Sequence, residues 1–184
     1  MNKFLKEIIK EDKAYYYGKP IKHLGRVLTH NPVYQRGKYI IICRKAGYYA
    51  THNCSIFNKL LGVFYSRKKN ILGAKLNIEL GPAEFGRRLR IYHNNVVVNY
   101  ATIIGDDCEL YGSNCIGNKG SFYENQAPCL GNKVSLGVGS TIIGNVKVAD
   151  GIKISGMTFV NKDLEKKDAL YGGIPAKYIK DLKE

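Results

Sequence analysis

The chain has 184 residues, 45% hydrophobic and 24% charged, which suits one domain with a small appendage and excludes a disordered polymer. The longest apolar run, Tyr39-Ile40-Ile41-Ile42-Cys43, is far short of the ~20 residues of a bilayer crossing. The net charge of +14 is concentrated in front: residues 1–75 hold 16 Lys/Arg against 3 Asp/Glu, and the remainder 13 against 12.

In chain order, Phe4, Leu5, Ile8 and Ile9 fall at helical spacing in a polar segment. Gly18-Lys19-Pro20 and Asn31-Pro32 punctuate the chain beyond that segment. Residues 34–50 and 56–65 are each expected to be a helix, aromatic on one side and basic on the other. Residues 1–75 therefore form a small basic helical cap, with a boundary near Lys75 where the charge changes. No 7–15-residue apolar stretch with a small-residue cleavage site opens the chain, so a cytoplasmic setting is expected. The five cysteines show no zinc-type spacing and are expected to act as small reduced hydrophobes.

Beyond the cap a six-residue step takes over. Branched aliphatics stand at Val98, Ile104, Leu110 and Ile116, then at Leu130, Leu136, Ile142, Val148, Ile154 and Val160. Four residues after most of them comes a small or β-branched residue, such as Thr102, Cys108, Val134 and Ser140. A step of six does not fit a helix of 3.6 residues per turn. It fits short strands broken by turns, each with one inward residue, stacked so that neighbours bury a continuous aliphatic column. The turns call for Gly, Asn or Asp where φ is positive, and Asn99, Asp106, Asn118, Asn132 and Asn145 sit near them. A β-sandwich would show a period of two instead. The expected main domain is thus all-β, a parallel β-helix over residues 76–164, followed by a tail at 165–184. Earlier steps begin at Leu80, Phe85 and Ile91. From Ile91 to Val98 the step is seven, so a residue has been added beside His93. Residues 118–129 interrupt the pattern and are expected to project as a loop.

Ile91-Tyr92-His93, Val98-Asn99 and Ile103-Ile104-Gly105-Asp106-Asp107-Cys108 resemble the serine acetyltransferase branch of hexapeptide-repeat acyltransferases. So does the run from Leu136 to Val148, and Gly172-Gly173-Ile174-Pro175-Ala176-Lys177 is similar to that branch's Gly-Val-Pro-Ala-Lys signature. The resemblance covers about residues 77–180. It implies a left-handed helix with three steps per coil, a homotrimer, and active sites between subunits with acetyl-CoA along the prism wall. It also implies that His93 is the catalytic base. Acyl transfer to a hydroxyl needs such a base, and His93 is the one histidine in the repeat region. Glu79 takes the place of the carboxylate that orients the base, with Glu84 in reserve. Gly137 and Gly156 stand where backbone would approach pantetheine, Lys162 and Lys177 where CoA phosphates would lie, and Pro175 and Ala176 beside the adenine. Tyr92, Asn94, Lys119, Tyr123 and Gln126 are candidates for the acceptor site.

Cys115 to Gly120 and Gln126-Ala127-Pro128 look more like polysaccharide O-acetyltransferases of capsule loci. Serine acetyltransferases carry Arg-His-Pro where this chain has Gln126-Ala127-Pro128. Losing the charges that would hold an amino-acid carboxylate favours a sugar hydroxyl as acceptor. Serine O-acetyltransfer is the alternative, and a non-catalytic β-helix scaffold is a second alternative of another class. A metal is not expected, since a zinc site of three imidazoles has one histidine to draw on. The basic cap suits an anionic glycan or an anionic membrane surface better than nucleic acid.

Overall fold

The computed structural model describes residues 2–52, 55–81, 84–120 and 126–182, apart from the side chain of Glu84. The chain divides into two compact units, Met1–Asn77 and Ile78–Glu184.

The first unit holds four helices: α1 (Lys3–Tyr17), α2 (Pro20–Leu28), α3 (Pro32–Thr51) and α4 (Ile56–Leu76). Their starts follow local chemistry. The side chains of Asn2, Asn31 and Ser55 accept hydrogen bonds from the exposed amides of Leu5, Val33 and Asn58, and Pro20 and Pro32 open α2 and α3. Helix α4 runs on to Leu76, beyond the expected end at Tyr65, and stops where Asn77 turns left-handed at φ 51°. The expected sidedness also fails. Arg36 and Arg44 of α3 are buried, along with Tyr39, Ile40, Ile41 and Cys43, whereas Ile56, Phe57, Leu60 and Val63 of α4 are exposed. Helix α3 is buried nearly all round, so it carries no single apolar stripe for periodicity to reveal. Arg44 tolerates burial because its Nε donates to Asp12 of α1 at 2.9 Å. Among the described residues no helix is long and apolar enough to cross a membrane.

The second unit is a three-sided parallel β-helix. One face stacks β1 (Ile78–Leu80), β4 (Val96–Val98), β7 (Cys115–Gly117), β10 (Thr141–Ile143) and β13 (Phe159–Val160). The second face stacks β2 (Glu84–Phe85), β5 (Ile103–Ile104), β8 (Cys129–Leu130) and β11 (Lys147–Val148). The third stacks β3 (Arg90–Ile91), β6 (Glu109–Leu110), β9 (Ser135–Leu136), β12 (Lys153–Ile154) and β14 (Ala169–Gly172). The register places each six-step aliphatic on the one three steps later: Val98 on Ile116, Leu136 on Ile154, Ile142 on Val160. All ten are buried, and so are the corner fillers Thr102, Cys108, Val134, Ser140, Val146, Ile152 and Thr158. This column of aliphatics is the core, and its burial at ~25 cal/mol per Å² is the main stabilising term.

The corners are built differently from the expectation. Where the second face turns into the third, positive φ falls on Arg88, Asp107 and Lys133, one residue beyond the expected Asp and Asn. Asp106 and Asn132 work as acceptors instead. Asp106 Oδ1 takes the amide of Arg87, Asn132 Oδ1 that of Asp106, and Asp150 Oδ1 that of Asn132, each at 2.7–2.8 Å. The ladder ties four coils together through one side-chain hydrogen bond per step. The C-terminal segment is not irregular: β15 (Lys177–Asp181) pairs antiparallel with β14 and ends the stack.

Candidate active site

Coil length shows where the helix departs from its own rule. A plain coil brings Asn132 to Asp150, 18 residues on. Across the turn of His93 the offset from Arg90 to Glu109 is 19, and across the loop the offset from Glu109 to Ser135 is 26. The extra residue lies between Ile91 and Val96, because Ile91 stacks on Leu110 and Val98 on Ile116 while the next coil spans the same corner with one residue fewer. It pushes Tyr92-His93-Asn94-Asn95 out as a bulged corner, with Asn95 at φ 61° and the His93 side chain exposed.

Gly112 supports this bulge from the next coil. Its φ is +113°, and a Cβ there would come within 2.5 Å of the His93 Cβ and 3.2 Å of the Asn94 carbonyl oxygen. Gly112 is itself held by Asn114, whose Oδ1 accepts the Gly112 amide at 2.9 Å. The Nδ2 of Asn114 donates to the Gly137 carbonyl at 2.8 Å and to Ser140 Oγ at 3.0 Å. Asn114 is fully buried, so this clamp is rigid. Sequence reasoning missed Gly112 and Asn114. The available signal was a polar Asn at an inward position, where the other coils place Ser140 and Thr158. Gly112→Ala is expected to displace the imidazole and lower kcat by about 10²-fold, the usual cost of an ångström-scale misplacement. Steady-state kinetics beside a melting curve checks this, because a folded but slow enzyme is the expected result.

Glu109 organises the wall beside the bulge. It accepts hydrogen bonds from Arg90 Nη1 (3.0 Å), Tyr92 Oη (3.0 Å), Tyr111 Oη (3.2 Å) and Ser135 Oγ (3.1 Å). Burial pushes its carboxyl up, but the four donors outweigh that and hold it below the usual carboxylate range. The rings of Tyr92 and Tyr111 stack with centroids 4.7 Å apart. The Tyr92 hydroxyl is therefore engaged within the wall.

Apart from Lys162, the candidate donor residues follow the edge on which His93 stands. Below Gly112 the same corner holds Gly137-Val138-Gly139, then Gly156-Met157, then the turn Gly173-Ile174-Pro175-Ala176. Backbone bonds link the levels: Ser113 N to Asn94 O, Gly139 N to Gly112 O and Met157 N to Val138 O. The last turn joins through Phe159, whose amide donates to Gly173 O and whose carbonyl accepts from Ala176 N. Lys177 continues from it, whereas Lys162 follows β13 where the first face turns into the second, on the edge of Lys119. Four strand spacings of ~4.8 Å separate the His93 corner from the Pro175 corner, about 19 Å in all. Val138, Met157 and Ile174 are exposed along this edge, an apolar strip that the repeat pattern did not show. Gly137 has a reason within the fold itself. A Cβ there would strike the Gly156 amide of the adjoining coil at 2.5 Å, so coil stacking already demands glycine.

Glu79 is exposed in the middle of β1 and pairs in register with Val97, four residues past His93. Among the described residues the His93 imidazole makes no hydrogen bond, to Glu79 or to any other group. Tyr123 and the Glu84 side chain lie outside the described residues. Lys119 and Gln126 stand on another edge, where the first face turns into the second, and the stem of Lys119 packs across Gly144. Within one chain they are not brought to His93. Among the described residues no cluster of three His, Cys, Asp or Glu could hold a metal ion.

No protein-family profile matches the chain. The serine acetyltransferase of Helicobacter pylori is 30% identical over 168 residues, which span 86% of this chain and 95% of that one. The chain belongs to the serine acetyltransferase family. Its members in crystals share the fold. The Brucella abortus serine acetyltransferase superposes with a TM-score of 0.76 at 19% identity, over 99% of this chain and 71% of that one. A Brucella abortus serine acetyltransferase in complex with coenzyme A gives 0.72 at 19%, over 97% and 67%. Family membership makes the chain an acetyl-CoA-dependent O-acyltransferase.

The same relatives overturn the polysaccharide reading, since they are serine acetyltransferases throughout their matched length. The physical error is local. Ala127 is only 8% exposed and Pro128 is buried, so packing at the entry to β8 sets both positions, and of the three compared residues Gln126 alone is exposed. The identity of Ala127 therefore does not report the acceptor's charge, and the carbohydrate acceptor falls with it.

Proposed function

We propose that this chain transfers the acetyl group of acetyl-CoA to the hydroxyl of serine, with His93 as general base. The carrying observation is the 30% identity to a serine acetyltransferase over 95% of its length. The edge headed by His93 supports the reading, because it offers glycine and apolar side chains along the ~19 Å that an extended pantetheine arm would follow.

His93 removes the hydroxyl proton as the oxygen attacks the thioester carbonyl. Collapse of the tetrahedral intermediate breaks the C–S bond, and the imidazolium returns its proton to the departing thiolate. Glu79 is the carboxylate that orients the imidazole, and Tyr92 and Asn94 flank the acceptor. Gly156, Pro175 and Ala176 bound the donor, with Lys162 and Lys177 toward its phosphates.

In this reading the coils wind left-handed and three chains assemble. The edge of one subunit that bears His93 then faces the edge of the next that bears Lys119 and Gln126. Lys119 supplies the cation for the serine carboxylate, a charge that the uncharged Gln126 does not bring. The test is loss of thioester absorbance with acetyl-CoA and free L-serine, with O-acetylserine identified by mass. Serine-dependent turnover is expected, and Lys119→Ala should raise KM for serine about tenfold or more with kcat little changed. Turnover no faster than thioester hydrolysis without serine would overturn the proposal.

A further inference from the structure

The helical unit contains a cavity of about 540 Å³ between α1, α3 and α4, within the size range of small-molecule sites. Its floor is apolar: Ile41 and Ile42 of α3 and Leu72 of α4, flanked by the rings of Tyr17 and Tyr65. Its rim is cationic. Lys13 comes from α1, Lys38 and Lys45 from α3, and Lys68 and Lys75 from α4.

No carboxylate lines the cavity, and among the described residues none of the five lysines forms an ion pair. Two of them rest on rings instead. Lys45 Nζ lies 5.1 Å from the Tyr65 centroid and Lys68 Nζ lies 4.2 Å from that of Phe64. Five like charges around one opening repel one another, and a low-dielectric floor focuses their field into the cavity. That arrangement is relieved by an anion seated among them. The lining adds a second requirement, since an inorganic anion would leave the exposed Ile71 and the half-buried Leu72 uncovered.

We infer that this cavity binds a single-chain amphiphile with a carboxylate or phosphate head, its chain on the Ile41–Ile42–Leu72 floor and its head among the lysines. Every lining residue lies in the helical unit, and none belongs to the β-helix that carries His93.

Calorimetric titration of the full chain tests this with dodecyl phosphate, with a neutral dodecyl glycoside of the same chain length, and with inorganic phosphate. Saturable one-site binding of dodecyl phosphate is expected, with both controls at least tenfold weaker. Lys38 and Lys68 are exposed, so Lys38→Gln/Lys68→Gln should leave the helical circular dichroism intact and weaken dodecyl phosphate at least tenfold. Equal affinity for the neutral glycoside, or an unchanged affinity in the double variant, would overturn the inference. Vesicles containing phosphatidylglycerol form the last arm. Binding to vesicles without binding to monomeric dodecyl phosphate would overturn the cavity and assign the charge to a membrane-facing surface.

Discussion

His93→Ala is expected to lower kcat by about 10²–10⁴ while KM for acetyl-CoA changes little. The separation follows from the edge on which the residues stand. In the proposed reading the donor runs away from the bulge, from Gly137 past Gly156 to the turn of Pro175, so that His93 meets only its reacting end. The side chain is exposed and takes no part in the core, so the variant should melt with the wild type. Steady-state kinetics together with a melting curve reads both quantities. A drop of less than tenfold would remove His93 from the chemistry. A matched loss of stability would make the effect structural.

What the sequence made readable depended on whether a residue repeated. Inward positions of the β-helix obey one steric demand at every step, so Leu130 and Val148 announce themselves three steps of six apart and then stack in register. The bulge was readable for the same reason, as an added residue against a fixed beat. Outward positions obey no common demand. Arg90, Tyr92, Tyr111 and Ser135 converge on Glu109 from three coils, separated by offsets that depend on the bulge and the loop. Gly112 and Asn114 escaped for a related reason: their role is set by what the coil above presses onto them. Among the candidate site residues, the structure gathers Tyr92, His93, Asn94, Gly156, Pro175 and Ala176 along one edge. It leaves Lys119 and Gln126 on another, a separation that linear spacing does not show.

The acceptor was misread because a motif was compared without its burial. Arg-His-Pro against Gln126-Ala127-Pro128 looks like the loss of charges facing a substrate. In the folded chain Ala127 and Pro128 are buried, where a change of residue alters packing, and only Gln126 of the three is exposed. In the proposed reading the charge that meets the acceptor comes from an exposed side chain on that edge, and Lys119 is exposed there.

In the helical unit the largest expected effect is on stability, from Asp12→Ala. Asp12 is fully buried on α1, and its Oδ2 takes the Nε hydrogen of Arg44, itself only 9% exposed on α3. Removing the carboxylate strands a guanidinium in the interior, and breaking a buried pair from one side costs about 3–5 kcal/mol. For a unit of this size each 1 kcal/mol moves the midpoint by roughly 4–8 °C, so the helical circular dichroism signal should melt at least ~10 °C lower. The double variant Asp12→Leu/Arg44→Met removes both charges and keeps apolar volume, and it should recover most of that loss. If the single variant melts within ~2 °C of the wild type, water reaches Arg44 and the pair does not hold α1 to α3. If the double variant melts as low as the single one, the loss belongs to packing around Asp12 and not to the stranded charge.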